Sequence, residues 1–261
     1  MIGATVSWLQ GTTAAGICQL LRRLGIHYKR GRHYVHSPDR NYQPKVDLIE
    51  QMRLRAYYDA PRTVLLYLDE LTFYRQPTVA AHYEAQGPTQ PLAYRSHRAD
   101  SDRRILGALD AMTGQVHYRQ RSATTIACLT GFWYELVAAY PNAETIYVVV
   151  DNWPVHFHPD VLAPLPPQHL PWPPTLPPNW PTVPSSSAKL DALPIQLLCL
   201  PTYASWLNPI EKLWRWLYQD RLHLHRLADD WALLRTSVNT FLDQFAHGSD
   251  ALLRYVGLLP N

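Results

Sequence analysis

Residues 63–69 read Thr-Val-Leu-Leu-Tyr-Leu-Asp and residues 145–151 read Thr-Ile-Tyr-Val-Val-Val-Asp, two apolar runs that each end on an aspartate. Continuous apolar runs of this length belong to strands covered on both faces, so they predict a sheet with helices on either side. Between them, RILGALDAMTGQVHYRQRS (104–122) reads as a hairpin around a Met-Thr-Gly turn, and TTIACLTGFWYELVAA (124–139) as a helix. IQLLCL (195–200) is a further buried strand. The order strand, hairpin, helix, strand, strand, helix predicts an α/β layer architecture around a mixed sheet. Helices led by Trp231, Leu234, Val238, Phe241, Leu242 and Phe245, and by Leu252 to Val256, are expected to cover it.

The two aspartates matter because side chains at the carboxyl ends of neighbouring parallel strands line one crevice. Asp69 and Asp151 can therefore meet although 82 residues separate them. Glu70 follows Asp69 directly, but successive strand residues face opposite ways, so Asp69 is the better candidate. A third acid lies in LPTYASWLNPIEKLWRWLYQD (200–220), where Asn208 suits a helix N-cap, Pro209 the first helical position and Glu211 the first turn. Taken alone, Asn208 with Glu211 reads as an ordinary capping arrangement, and Trp206 and Trp214 as core packing. Three carboxylates gathered in a crevice repel one another, and hard divalent cations relieve that repulsion. Two such ions, Mg2+ or Mn2+, can support in-line phosphodiester displacement without a covalent protein intermediate. The residues alone thus indicate a metal-dependent nuclease or phosphoryl transferase.

The strings around these acids resemble a known family. Strand-borne Asp69, the run Asp151-Asn152-Trp153-Pro154-Val155-His156 (D-N-x-x-x-H) and the run Leu207-Asn208-Pro209-Ile210-Glu211-Lys212-Leu213-Trp214 (L-N-P-I-E-x-x-W) are similar to the signature of mariner-like DDE transposases, their bacterial insertion-sequence branch above all. The resemblance covers roughly residues 61–158 and 192–225. It implies an RNase H-like fold, two divalent metal ions bound by Asp69, Asp151 and Glu211 as catalytic triad, and cut-and-paste transposition with a TA-type target. Asn152, His156 and Asn208 would be support or DNA-contacting residues. Double-stranded DNA, as transposon ends and target, would be the partner of a homodimer in a synaptic complex. Alternatives are a non-catalytic DNA-binding remnant of a transposase and another RNase H-like nuclease.

The rest of the chain frames this core. Of 23 prolines, 11 fall within residues 159–184, so 159–191 reads as a proline-rich insertion, irregular or polyproline II, with Trp172 and Trp180 docked on the body. It accounts for the long 60-residue step from Asp151 to Glu211. The expected domains are therefore a short N-terminal helical segment with a basic linker (1–60) and a catalytic domain (61–261) interrupted by that insertion. Within 1–60, Thr12 or Thr13 can cap a helix ended by Gly25, and HYKRGRHYVH (27–36) follows with Lys29, Arg30 and Arg32 among tyrosines. This is only part of the bipartite helix-turn-helix with which such enzymes begin, so the chain is expected to be truncated there or encoded as a second reading frame. Arg95, Arg98, Arg103 and Arg104 flank the hairpin and are further candidates for nucleic-acid contact.

A net charge of +3 and a pI near 8.7 permit a nucleic-acid partner. Three scattered cysteines suggest neither disulfide framework nor zinc finger, and no apolar run has the length of a membrane span. The expected setting is the bacterial cytoplasm, in association with the nucleoid.

Overall fold

The computed structural model describes residues 13–27 and 36–260. These fall into two units, residues 1–36 and 37–261. In the first, helix α1 (Ala14–Arg23) starts where the Thr13 side chain accepts a hydrogen bond from the Gly16 amide. Its end turns at Gly25, whose φ of 69° suits a residue without a Cβ. The basic candidates Lys29, Arg30 and Arg32 lie outside the described residues.

The second unit is built on a five-stranded sheet of order β3-β2-β1-β4-β5. Its strands are β1 (Thr63–Tyr74), β2 (Asp102–Asp110), β3 (Val116–Arg121), β4 (Thr145–Val150) and β5 (Ile195–Cys199). The pairs β1–β2 and β2–β3 are antiparallel, whereas β1–β4 and β4–β5 are parallel. The mixed sheet expected from the apolar runs is present, with helices packed on both faces.

Strand periodicity divides the core in two. Val64, Leu66 and Leu68 face helix α3 (Ile126–Ala139), meeting Leu129, Phe132, Trp133 and Leu136. Leu65 and Tyr67 face the opposite layer, formed by α2 (Tyr42–Tyr58), α5 (Ile210–Leu217), α6 (Trp231–Asp243) and α7 (Asp250–Val256). Each fully buried Leu or Val contributes roughly 1.5–3 kcal/mol of transfer free energy, which is why two continuous apolar strands suffice to organise the fold.

Three expectations change. Strand β1 does not end at Asp69 but runs on to Tyr74, because its antiparallel partner β2 keeps pairing as far as Tyr74↔Asp102. Residues 42–58, counted above with the N-terminal segment, form α2 and seat Ile49 and Ala56 in the core, so the boundary falls after His36 and not after residue 60. The start of the proline-rich stretch is also core. It forms a short helix, α4 (Pro159–Leu162), Val161 and Leu165 are buried, and the Trp133 indole donates to the Val161 carbonyl at 3.1 Å. Gln168 then serves the free edge of β5, accepting from the Leu197 amide (2.7 Å) and donating to the Ile195 carbonyl (3.1 Å). Trp172 and Trp180 are half-buried, and the Trp180 ring stands edge-on to His158.

Candidate active site

The parallel ladder between β1 and β4 reaches its last pair at Tyr67↔Val149, and β4 ends one residue later. Asp69 and Asp151 each follow that pair by two positions, which puts both on the face of Tyr67 and Val149. The strand-end logic therefore holds for β4, while for β1 it is the end of parallel pairing that delivers the carboxylate. Glu211 comes from the other direction, in the first turn of α5.

Short polar contacts fix these elements. Asn208 is buried, and its side chain makes no helix cap, contrary to the expectation above; its Nδ2 donates to the Leu68 carbonyl at 3.0 Å. A cap would use Oδ1 as acceptor for the helix amides; the side chain instead spends its Nδ2 donor on the strand carbonyl, tying the entry of α5 to β1. Asn152 acts similarly after β4, donating to the Leu200 carbonyl at 2.9 Å. Asp151 Oδ1 accepts from the Trp153 amide at 2.9 Å and lies 3.2 Å from His156 Nε2. That imidazole is 1% exposed and also stands 3.7 Å from Glu70 Oε1. Glu70 thus shares the imidazole with Asp151 and belongs to the same acidic neighbourhood. Asp69 Oδ2 instead accepts from the Trp214 indole N–H at 2.9 Å.

The electrostatics tie the acids together. Burial pushes the Asp69 carboxyl up to about 8, with the charges of Glu211 and Glu70 adding to the shift. Burial likewise raises Glu70 to about 7, aided by Asp151 and opposed by His156. Glu211 is raised by burial and by Asp151, against the nearby Arg215. Burial would raise Asp151 too, but hydrogen bonds from His156 and the Trp153 amide outweigh it and hold Asp151 below the usual carboxylate range. Burial would lower His156, yet Asp151 and Glu70 keep it above its ordinary value. Asp69 and Asp151 thus each interact with Glu211. Three carboxylates without a thiolate form a donor set suited to a hard divalent cation. Among the described residues no three His, Cys, Asp or Glu side chains close into a ready-made metal cluster.

A family model described as DDE superfamily endonuclease matches residues 64–234, a span that contains Asp69, Asp151 and Glu211. The chain belongs to the DDE endonuclease superfamily. Among its DDE relatives is the insertion element IS630 uncharacterized 39 kDa protein of Shigella sonnei, 21% identical over 222 residues. That match covers 85% of this chain and 56% of the relative's length. The fold is similar to the Mos1 mariner paired-end complex with Mn, at a TM-score of 0.62, 17% identity and coverage of 95% of this DDE chain and 68% of that one. The Mos1 transposase paired-end complex with left transposon end aligns at a TM-score of 0.60 and 17% identity, over 94% of this chain and 67% of that one.

The remaining candidates are placed apart from the carboxylates. Arg95 and Arg98 are exposed on the limb returning to β2, whose base is pinned by Gln76 bonding to Ser96 and Arg98. Arg103 and Arg104 open β2 opposite Phe73 and Thr72, along the strand from Gly107, which pairs with Asp69. Reading the sequence missed two features. The Glu70 contact to His156 needed the three-dimensional neighbourhood of β4. The Trp214 bond to Asp69 had a visible signal, a tryptophan one helical turn after the glutamate.

Proposed function

We propose that this chain carries the catalytic domain of a DNA transposase that cuts and joins DNA strands, with Asp69, Asp151 and Glu211 as its catalytic carboxylates. The observation that carries this reading is the mutual electrostatic influence of carboxylates brought by two strands and a helix to the end of the β1–β4 ladder. Two Mg2+ or Mn2+ ions held by these residues would supply Lewis acidity at the attacking and leaving oxygens of an in-line displacement. The protein's own part is orientation. His156 holds Asp151 ionised and aimed, and Asn152 and Asn208 fix the chain beside Asp151 and Asp69. Double-stranded DNA is the proposed substrate, with two copies of the protein bridging two ends. Arg95, Arg98, Arg103 and Arg104 are proposed to contact its phosphates.

The test uses the purified chain, Mg2+ or Mn2+, and duplexes carrying the terminal repeats that flank its gene. Divalent-dependent cleavage and joined products are expected, and Asp151→Asn or Glu211→Gln should lower both at least roughly a thousandfold without lowering the melting temperature. A wild type inert on every duplex would identify a non-catalytic remnant. Cutting of RNA:DNA hybrids with no joined DNA would identify a hybrid-specific nuclease instead.

A further inference from the structure

Helix α5 touches β1 at more than its hydrophobic stripe. Trp214 is 3% exposed and belongs to the core with Ile210, Leu213 and Leu217, which would fully account for a tryptophan at that place. Yet its one polar atom is directed at Asp69, the indole N–H standing 2.9 Å from Oδ2. Room for this is made on the neighbouring strand. Gly107 pairs with Asp69 across β1–β2, and a Cβ there would stand 2.6 Å from Trp214 Cη2 and 2.9 Å from Cζ2. Contacts that short are forbidden to real carbon atoms, so the six-membered ring of the indole fills space that only a glycine leaves open. Asn208, six residues before Trp214 in the same L-N-P-I-E-x-x-W run, donates to the carbonyl of Leu68, the residue before Asp69. The run therefore grips β1 at Leu68 and at Asp69 itself, while carrying Glu211 between the two grips.

We propose that Trp214 is a positioning residue for Asp69. With its six-membered ring seated against Gly107, its indole N–H fixes the Asp69 carboxylate relative to Glu211, one helical turn away on the same α5, so that the two present a preset gap to a divalent cation. This rests on the reading of Asp69 and Glu211 as metal-binding carboxylates. The physical basis is preorganisation: a carboxylate held by a buried donor loses less rotational freedom on binding an ion, and removing such supporting partners commonly weakens metal affinity tenfold or more. The bond leaves Asp69 Oδ1 and the second lone pair of Oδ2 free of the indole. Among the described residues, this side-chain contact spans from the helix bearing one proposed ligand to the strand bearing another, whereas the His156 contact to Asp151 stays within the segment after β4.

The experiment measures Mn2+ affinity of the full chain by electron paramagnetic resonance, without DNA and without turnover. Two variants remove the donor: Trp214→Phe, and replacement of Trp214 by benzothienylalanine, which puts sulfur in place of the indole N–H in a ring of nearly the same shape and so preserves packing. Each should bind Mn2+ about tenfold more weakly than the wild type. In an Asp69→Asn background the same replacements should cause no further loss, because the group they position is gone. Mn2+ binding by the benzothienylalanine protein equal to that of the wild type would overturn the proposal. An equal loss with and without Asp69 would also overturn it, by showing that Trp214 acts through packing alone. If Asp69→Asn itself leaves wild-type Mn2+ affinity unchanged, the reading of Asp69 as a ligand fails, and this proposal with it.

Discussion

Asn208 exemplifies how one side chain changes meaning between sequence and structure. As a sequence element it stands where N-caps stand, but its amide is committed to the Leu68 carbonyl inside the sheet. Removing it strands a buried acceptor, a cost of about 1–3 kcal/mol. Asn208→Ala should therefore lower unfolding stability by that amount in urea titrations, and Asn208→Asp, which could still cap a helix but cannot donate to the Leu68 carbonyl, should not restore it. His156 makes the complementary case. Its identity was legible from the D-N-x-x-x-H spacing, but its burial between Asp151 and Glu70 was not, since that depends on β1 and β4 being neighbours. His156→Ala should leave Asp151 without its side-chain donor and reduce cleavage roughly 10- to 100-fold at unchanged DNA affinity. An unaltered turnover would show that the imidazole serves packing only.

At the scale of elements, what the sequence made legible followed burial. Residues 63–69 and 145–151 were readable because strands covered on both faces have no polar alternation to confuse them. The far half of β1 was not, because Glu70, Thr72 and Tyr74 interrupt the apolar run and only pairing with β2 extends it. Helix α2 escaped notice for a similar reason, as its hydrophobic stripe is diluted by the buried Lys45 and by the exposed Leu54, Tyr57 and Tyr58. The proline-rich stretch was legible by composition but not in its limits. Excising residues 160–190 would remove Val161, Leu165 and the Gln168 contacts to β5, and should abolish cooperative unfolding. Excising only 173–184, which lie beyond those contacts, should shift the thermal midpoint by a few degrees at most. A large loss on the shorter excision would mean that Trp180 and its neighbours anchor more than the surface.

For the whole molecule, two pH- and salt-dependent behaviours follow. Asp39 and Lys45, 8% and 6% exposed, are 2.9 Å apart, and Asp39 also accepts from the amides of Asn41 and Thr202. Burial alone would raise Asp39, but Lys45 and these amides hold it near about 2, below its ordinary 3.8. The group's contribution is thus complete above pH 4 and lost as the pH falls from about 4 towards about 2. Asp39→Asn should cost about 1–2 kcal/mol at neutral pH once solvent screening is allowed for, with the gap from the wild type narrowing across that acid window. An undiminished gap at pH 2 would assign the loss to geometry instead of charge. The proposed DNA contact should weaken steeply between about 50 and 200 mM salt, as phosphate contacts do. A flat response would argue against the exposed arginines as phosphate partners.

The separation of Asp151 from Glu211 along the chain has an entropic side. Asp151 is fixed by the turn just after β4 and Glu211 by α5, while residues 173–184 of the proline-rich stretch, beyond the Gln168 contacts, hang between β4 and β5 as slack. Lengthening that connection by 26 residues, from a base of about 18, costs only about 0.8 kcal/mol of closure entropy, because the penalty grows with the logarithm of loop length. Distance along the chain between these two acids is therefore a nearly neutral variable, free to drift by insertion and deletion. The step from Glu211 to Trp214 is set by the pitch of one helix, and that from Asn208 to Glu211 by the tight entry into it through Pro209, so neither tolerates such drift.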